Sequence, residues 1–371
     1  MSSIFGKNLR ISIAGESHGE ALGVIIDGLP AGFPIDMEAL SAFLKRRAPG
    51  QNRFSTPRKE GDVPRFLSGI LNGVTTGAPV LAVIPNTNVR SGDYAPFAHI
   101  PRPGHADYTG TLKYGGFADL RGGGHFSGRL TAPLCIAGGI AKEILREKGI
   151  FVFAHIHSVF GIEGKMPGYT PEELPALLSM EKRDFPVWDT EAGEKMQAEI
   201  DKARSEGDSV GGVCAVGAMG LPAGLGAPMF DRLESRLSAA IFGIPAVRGI
   251  GFGNGFDCAR LRGSQNNDAF SIDKAGKVYT KTNRAGGVLG GITTGMPLHF
   301  TVAIKPTPTI SCEQESVDLE KMEPVTLKAG GRHDPCILPR AVPVLEAATA
   351  LVLLDFLLDG TLVRKGEEHG E

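Results

Sequence analysis

Cysteine is scarce and scattered. The five residues in 371 (Cys135, Cys214, Cys258, Cys312 and Cys336) are odd in number, and none stands in a CxxC pair. This spacing argues against a disulfide framework or a zinc site and for free thiols in a reducing compartment. A dominant charge is missing too: the formal net charge is −2, so the chain as a whole has no electrostatic attraction for nucleic acid or an anionic membrane. Any positive field must be local. The opening MSSIFGKNLRISIAG holds no apolar run long enough for a signal peptide. The greasiest stretch, Val342 to Leu358, is interrupted by Glu346 and Asp355 and is too short to span a bilayer. These absences predict a soluble cytoplasmic protein with neither nucleic acid nor membrane as a partner. There is no GxxxxGK[ST] loop and no GxSxG elbow, and GIGFGNGF at Gly249 to Phe256 misses the GxGxxG spacing. A Rossmann nucleotide site and a serine-hydrolase site therefore have no support.

Glycine and proline are plentiful, at 51 and 25, which points to many turns between strands. Two ordered markers occur twice. GLPAG stands at Gly28 to Gly32 and at Gly220 to Gly224, and SGILNGVTTGAP (Ser68 to Pro79) is echoed by GGVLGGITTGMP (Gly286 to Pro297). Each GLPAG follows a β-rich apolar run and precedes a helical pattern, Leu40, Phe43, Leu44 in one copy and Leu233, Leu237, Ile241 in the other. After each TTGxP comes another strand-like run, VLAVIP and LHFTVAI. The pattern predicts an α+β fold. A single domain holds two repeated antiparallel-sheet units, over roughly residues 10–150 and 205–360, with helices packed outside. Further helices are expected from Thr170, where Pro171 and Glu173 supply N-terminal signals, over Glu191 to Glu206 as an exposed helix, and over Pro343 to Leu358 as a well-buried one stopped by Gly360.

Three segments are too polar and glycine-rich for a core: GESHGE (Gly15 to Glu20), RPGHADYTGTLKYGGFADLRGGGHFSGR (Arg102 to Arg129) and KAGGRHDPC (Lys328 to Cys336). Glycine lets backbone approach a ligand closely, and the arginines and histidines beside it can bind anions and move protons. Arg47, Arg53 and Arg58 in a turn-rich stretch, with Arg102, Arg121, Arg129 and Arg332, imply a ligand with several anionic groups, because the guanidinium fork donates paired hydrogen bonds at any working pH. Ser17 and His18 are adjacent and do not form a nucleophile–base pair; a proton donor beside a leaving anion suits His18 better. His105 follows a Pro-Gly turn beside Arg102 and Asp107. His155 and His157 have metal-like spacing but no further ligand candidates nearby, so they read as structural. His125 stays open, and KPTPT (Lys305 to Thr309) is a weak signal alone.

Taken together, GESHG, RPGHADYT…KYG…RGGG…S.R.TA and GRHDPC…RAVP, in that order and joined by GFD, RGSQN, AGG.LGGI.TG and KPT, resemble the chorismate synthase family. The resemblance covers nearly the whole chain. It implies an elimination of phosphate and a C6 proton from 5-enolpyruvylshikimate 3-phosphate, dependent on reduced FMN without net redox change. It implies a β-α-β sandwich, usually a homotetramer. Residue by residue, it implies that His18 protonates the departing phosphate, that His105 protonates or polarises the flavin, and that Asp334 helps flavin N5 act as base. Ser17, Arg47, Arg53, Arg102, Ser127, Arg129 and Arg332 would hold substrate. His125, Phe126, Ser127, Pro245, Ala246, Gly290, Lys305, Pro306, Thr307, Pro308, Thr309 and Arg332 would line the flavin. His125-Phe126 stand where many members have Arg-Ser, Ala48 replaces a third arginine, and Pro245 stands where Asn is common. With no reductase domain in view, a separate flavin reductase is expected, NADPH serving only indirectly as a source of electrons. Two other classes compete: a flavin or polyanion carrier without chemistry, and a metal-dependent hydrolase built on His155 and His157.

Overall fold

The computed structural model describes residues 3–50, 54–55, 61–86, 99–328 and 333–360; Arg53, Arg58 and Arg332 lie outside them. Two five-stranded sheets dominate. The first runs, edge to edge, Ile4–Phe5, Arg10–Gly15, Ala21–Asp27, Val80–Pro85, Arg65–Ser68. The second runs Ile162–Glu163, Phe151–Val159, Gly212–Met219, Leu298–Ile304, Val247–Phe252. All pairings within both are antiparallel. In Val80–Pro85 and Leu298–Ile304, side chains alternate between fully and partly covered positions, as strands with one face on a core must.

The two sheets share one plan, down to single hydrogen bonds. After the third strand of each, GLPAG turns back onto a short hairpin through one threonine. Thr75 donates its hydroxyl to the Pro30 carbonyl at 2.7 Å and accepts from the Phe33 amide at 2.9 Å. Thr293 donates to Pro222 at 2.6 Å and accepts from Leu225 at 2.9 Å. The Phe151–Val159 strand takes the place in the second sheet that Arg10–Gly15 takes in the first, although it precedes residue 205, where the second copy is expected to begin.

The layering differs from expectation. Leu338–Leu357 is buried as its apolar run predicts, but Thr131–Glu147 packs on it and touches strands of both sheets, so these two helices lie inside and not outside the sheets. The cause is their composition. Segments such as LCIAGGIAKEIL and VLEAATALVLLDFL are apolar nearly all round, so they have no face to give to water. The shorter Met37–Arg47 and Leu233–Phe242 helices pack against Leu338–Leu357. Thr190–Ser205 is the amphipathic exception, burying only Ala192, Gly193, Met196, Ile200 and Ala203. Leu338–Leu357 also starts five residues before Pro343, because Pro339 in the first turn needs no amide donor. The helix expected from Thr170 begins at Leu174, after a turn in which the Thr170 amide donates to Glu173 Oε2 at 3.1 Å.

Two carboxylates on the last helix anchor distant parts of the chain. Asp355 accepts the amides of Lys7, Asn8 and Leu9 and the guanidinium of Arg236. Glu346 accepts a two-pronged pair from Arg46 at 2.8 and 2.7 Å and a bond from Lys142. Burial raises the Glu346 pKa, but the charges of Arg46 and Lys142 outweigh it and hold it at about 2. A group depressed on folding contributes stability above its unfolded value and loses it as pH falls through the folded one. Unfolding free energy is therefore expected to decline between about pH 4.5 and pH 2, and Glu346→Gln should flatten that decline in denaturant titrations. An equally steep acid limb in the variant would remove Glu346 as its source. His155 is enclosed in the second sheet, its Nδ1 3.1 Å from the Ile156 carbonyl oxygen, and burial pushes its pKa down to about 4.

Candidate active site

The first polar segment is a turn at the end of Arg10–Gly15. The side-chain amide of Asn86, just past the Val80–Pro85 strand, donates to the carbonyls of Glu16, Ser17 and Gly19 at 3.3, 3.3 and 2.8 Å, which fixes the turn. The Ser17 amide donates to the Gly124 carbonyl at 3.1 Å, so the turn docks on the second polar segment.

That contact places a run of glycines between two histidines. Gly122, Gly123 and Gly124 all have positive φ, at 62°, 93° and 52°. A Cβ on Gly122 would come within 2.4 Å of His18 Cδ2 and 2.9 Å of Ser17 Oγ; one on Gly123 would come within 3.1 Å of His105 Nε2 and 3.6 Å of Ser127 Cβ. Both the left-handed backbone and the close approach need glycine here. His18 and His105, distant in sequence, thus flank two consecutive residues.

His105 is oriented by a buried carboxylate. Asp107 Oδ1 lies 2.7 Å from His105 Nδ1, and Arg102 donates to the same carboxyl from its amide, Nε and Nη2 at 3.0, 2.7 and 2.8 Å. Burial opposes ionisation of Asp107, but hydrogen bonds and charge from Arg102 and His105 prevail and hold it well below the usual carboxylate range. An ionised carboxylate only accepts, so Nδ1 carries a proton and Nε2 is the position that faces Gly123. Arg102 thus pairs with Asp107, a partner visible in the sequence but not assigned a role there, while its Nη2 also lies 3.2 Å from His105 Nδ1.

Arg47 and Arg129 meet on one acid that sequence reading did not single out. Asp62 accepts Arg47 Nη1 at 2.6 Å on one oxygen and Arg129 Nη1 on the other. Its burial opposes ionisation, but the two guanidiniums lower its pKa below the ordinary range. Arg47 also donates to Thr131 Oγ1 at 3.1 Å, and Arg129 reaches Asn86 Oδ1 at 3.4 Å. The third polar segment joins through Arg340, which donates to Asp334 Oδ2 at 2.5 Å and to the Arg47 carbonyl at 3.0 Å. Arg121, by contrast, is exposed and paired with Asp119 at 2.6 Å.

The residues expected around a flavin divide. Lys305 donates its amide to the Ala246 carbonyl at 3.0 Å and its ammonium to the Gly104 carbonyl, and Pro308 lies beside Gly104, next to His105. Pro245 and Pro306 adjoin this group in sequence, and Thr309 is buried. Burial, then the nearby Arg248, lowers the Lys305 pKa. Among the described residues the Thr307 hydroxyl, two positions from Lys305, is buried with no hydrogen-bond partner. An orphaned hydroxyl beside a cation and stiffened by prolines fits a hydrogen-bonding, anionic cofactor such as FMN. Phe126 packs on Gly110, its ring 6.2 Å from that of Tyr114. His125 bonds the Gly15 carbonyl at 2.8 Å and Ser3 Oγ at 2.7 Å, bracing the strand that leads into the His18 turn. Gly290 sits at the tip of the Val288–Thr293 hairpin, whose neighbouring Gly291 packs on Ala227 and Arg232. Among the described residues no group of three metal-ligating side chains occurs, and no helix is long and apolar enough to cross a membrane.

Comparison with known proteins agrees with the motifs. The family model described as chorismate synthase matches residues 9–358. A chorismate synthase of Thermococcus kodakarensis is 50% identical over 353 residues, 95% of this chain and 97% of the relative. One from Dehalococcoides mccartyi is 46% identical over 363 residues, 98% of each chain. A solved structure described as the crystal structure of chorismate synthase superposes with a TM-score of 0.76 at 31% identity, over 96% of this chain and 93% of the other. With its glycine-lined pair of histidines, its arginines and its sequence all in agreement, the chain belongs to the chorismate synthase family.

Proposed function

We propose that the chain is a lyase converting 5-enolpyruvylshikimate 3-phosphate to chorismate and phosphate by a 1,4-anti elimination that requires reduced FMN, the last step of the shikimate pathway. The observation that carries this reading is the placement of His18 and His105 against Gly122 and Gly123. Two proton-handling groups held at a fixed separation suit a reaction that loses phosphate from one position and a proton from another. Reduced FMN, when bound, lends electron density to the substrate as phosphate departs and regains it as the proton leaves.

Placement and proton traffic are the work of this chain's residues. His18 delivers a proton to the departing phosphate oxygen. His105, its Nδ1 proton held by Asp107, has Nε2 free of that carboxylate to hydrogen-bond the flavin, which it would orient and polarise. Asp334, fixed by Arg340, stands at the proton-accepting end. Ser17, Ser127, Arg129 and Arg47 position the substrate, with Arg53 and Arg332 completing the anion-binding set. Lys305 and Thr307 hold the flavin, with Pro245, Ala246, Pro306, Pro308 and Thr309 shaping its pocket. Enclosure by arginines and prolines keeps water from a reactive intermediate. A separate reductase supplies the reduced flavin, and the working assembly is a homotetramer in the cytoplasm.

The test is anaerobic incubation of substrate with photoreduced FMN, following chorismate absorbance and phosphate together. Equimolar appearance of both, absent with oxidised FMN, is the expected result. Tight binding of both ligands without turnover would move the protein to the polyanion-carrier reading. Turnover with oxidised FMN and NADPH, with no reductase added, would overturn the separate-reductase part.

A further inference from the structure

Asp62 is the acid on which two of the substrate-binding arginines converge, and it belongs to none of the three polar segments. It lies in the irregular stretch leading into the Arg65–Ser68 strand, with φ of 43°, a backbone conformation uncommon outside glycine. Only 5% of its surface is exposed, against 3% for Arg47 and 8% for Arg129. Each carboxylate oxygen takes one guanidinium: Oδ2 takes Arg47, from the end of the Met37–Arg47 helix, and Oδ1 takes Arg129, from the turn before the Thr131–Glu147 helix. A single planar group therefore sets both the separation and the tilt of two planar cations.

The bridge also has a direction. Arg129 Nη2 reaches Asn86 Oδ1, and the amide nitrogen of the same Asn86 side chain holds the carbonyls of the turn that carries His18. A continuous hydrogen-bonded path thus runs from Asp62 through Arg129 and Asn86 to the backbone around the proposed proton donor for phosphate. Phosphate is the substrate group best suited to two guanidiniums in fixed register, since it offers several oxygens and up to two charges.

Building on the proposed activity, we propose that Asp62 is a positioning residue, which holds the Arg47 and Arg129 guanidiniums in register for the phosphate group of the substrate. It touches no reacting atom and acts only through the arginines. Without its carboxylate the two cations repel and swing apart, so phosphate recognition fails before chemistry does.

The experiment compares wild type with Asp62→Asn and Asp62→Glu, using full-length protein saturated with reduced FMN. KM, kcat, the inhibition constant of inorganic phosphate, the dissociation constant of FMN and Tm are measured for each. Asp62→Asn is expected to raise KM and the phosphate inhibition constant at least tenfold in parallel, with kcat and FMN binding within threefold of wild type. Asp62→Glu, which keeps the charge on a longer arm, should fall between. A merely structural role would degrade all four constants together and would overturn the proposal. So would unchanged or tighter phosphate inhibition, since Asp62 would then be neutral or a competitor for the arginines. If Asp62→Asn does not fold, Asp62→Glu decides alone: a KM raised at least threefold supports the proposal, and an unchanged KM overturns it. Wild-type protein that makes no chorismate marks failure of the functional reading instead; calorimetric titration with inorganic phosphate then carries the test, a tenfold weaker affinity in the variant supporting the proposal and an equal one overturning it.

Discussion

His105→Ala is expected to lower kcat by about 10²- to 10⁴-fold, the range over which a positioned proton-transfer group acts. Substrate affinity should stay within a few-fold, because the anion-binding side chains Arg47 and Arg129 rest on Asp62 and not on the imidazole. Asp107→Asn should reproduce part of this loss for a different reason. Its amide offers nitrogen as well as oxygen to Nδ1, so the ring is no longer fixed with its Nδ1 proton toward residue 107, and Arg102 loses its counter-ion. An unchanged kcat in His105→Ala would take that residue out of the mechanism.

The second large effect is expected from a single methyl group. Gly122→Ala places a Cβ 2.4 Å from His18 Cδ2 and 2.6 Å from Nε2, closer than any such contact can be, on a backbone with φ of 62°. His18 must move. A displacement of about 1 Å at a reacting group costs on the order of 10²-fold in rate, and the left-handed conformation costs a further roughly 1–2 kcal/mol of stability. Single-turnover rates and thermal melts separate the two components. Gly123→Ala, whose Cβ would stand 3.1 Å from the His105 ring, should give a smaller loss. If Gly122→Ala kept the full single-turnover rate, His18 would not be the proton donor.

Legibility differed between chemistry and architecture. The segments that carry His18, His105 and Asp334 stood out because a polar, glycine-rich stretch cannot be core, so its residue types point to a site. The family motifs were readable for the same reason. Asp62 was not, since an aspartate after a glycine in a turn-rich stretch carries no local mark of a partner reached only through tertiary structure. Arg340 and Asn86 were hidden likewise: one sits in the first turn of a buried helix, the other at the end of a strand. The misplaced layer has a related cause. The periodic stripes of Met37–Arg47 and Leu233–Phe242 suggest outer helices, and although the greasiness of Val342 to Leu358 marks a buried helix, nothing in the sequence shows that Thr131–Glu147 packs on it between the sheets.

The last helix has a bearing on how the protein comes off the ribosome. Glu346, which answers Arg46, lies 300 residues downstream of it, and Asp355 is the acceptor for amides at positions 7 to 9. The first sheet and its arginine-tipped helix are thus synthesised long before the surface they rest on exists. A nascent chain halted short of residue 338 would hold every strand of both sheets and most of the candidate site, yet leave the apolar flank of Thr131–Glu147 uncovered. Assembly from the N-terminus forward is closed to such a fold. Its core closes only when Leu338–Leu357 packs on Thr131–Glu147.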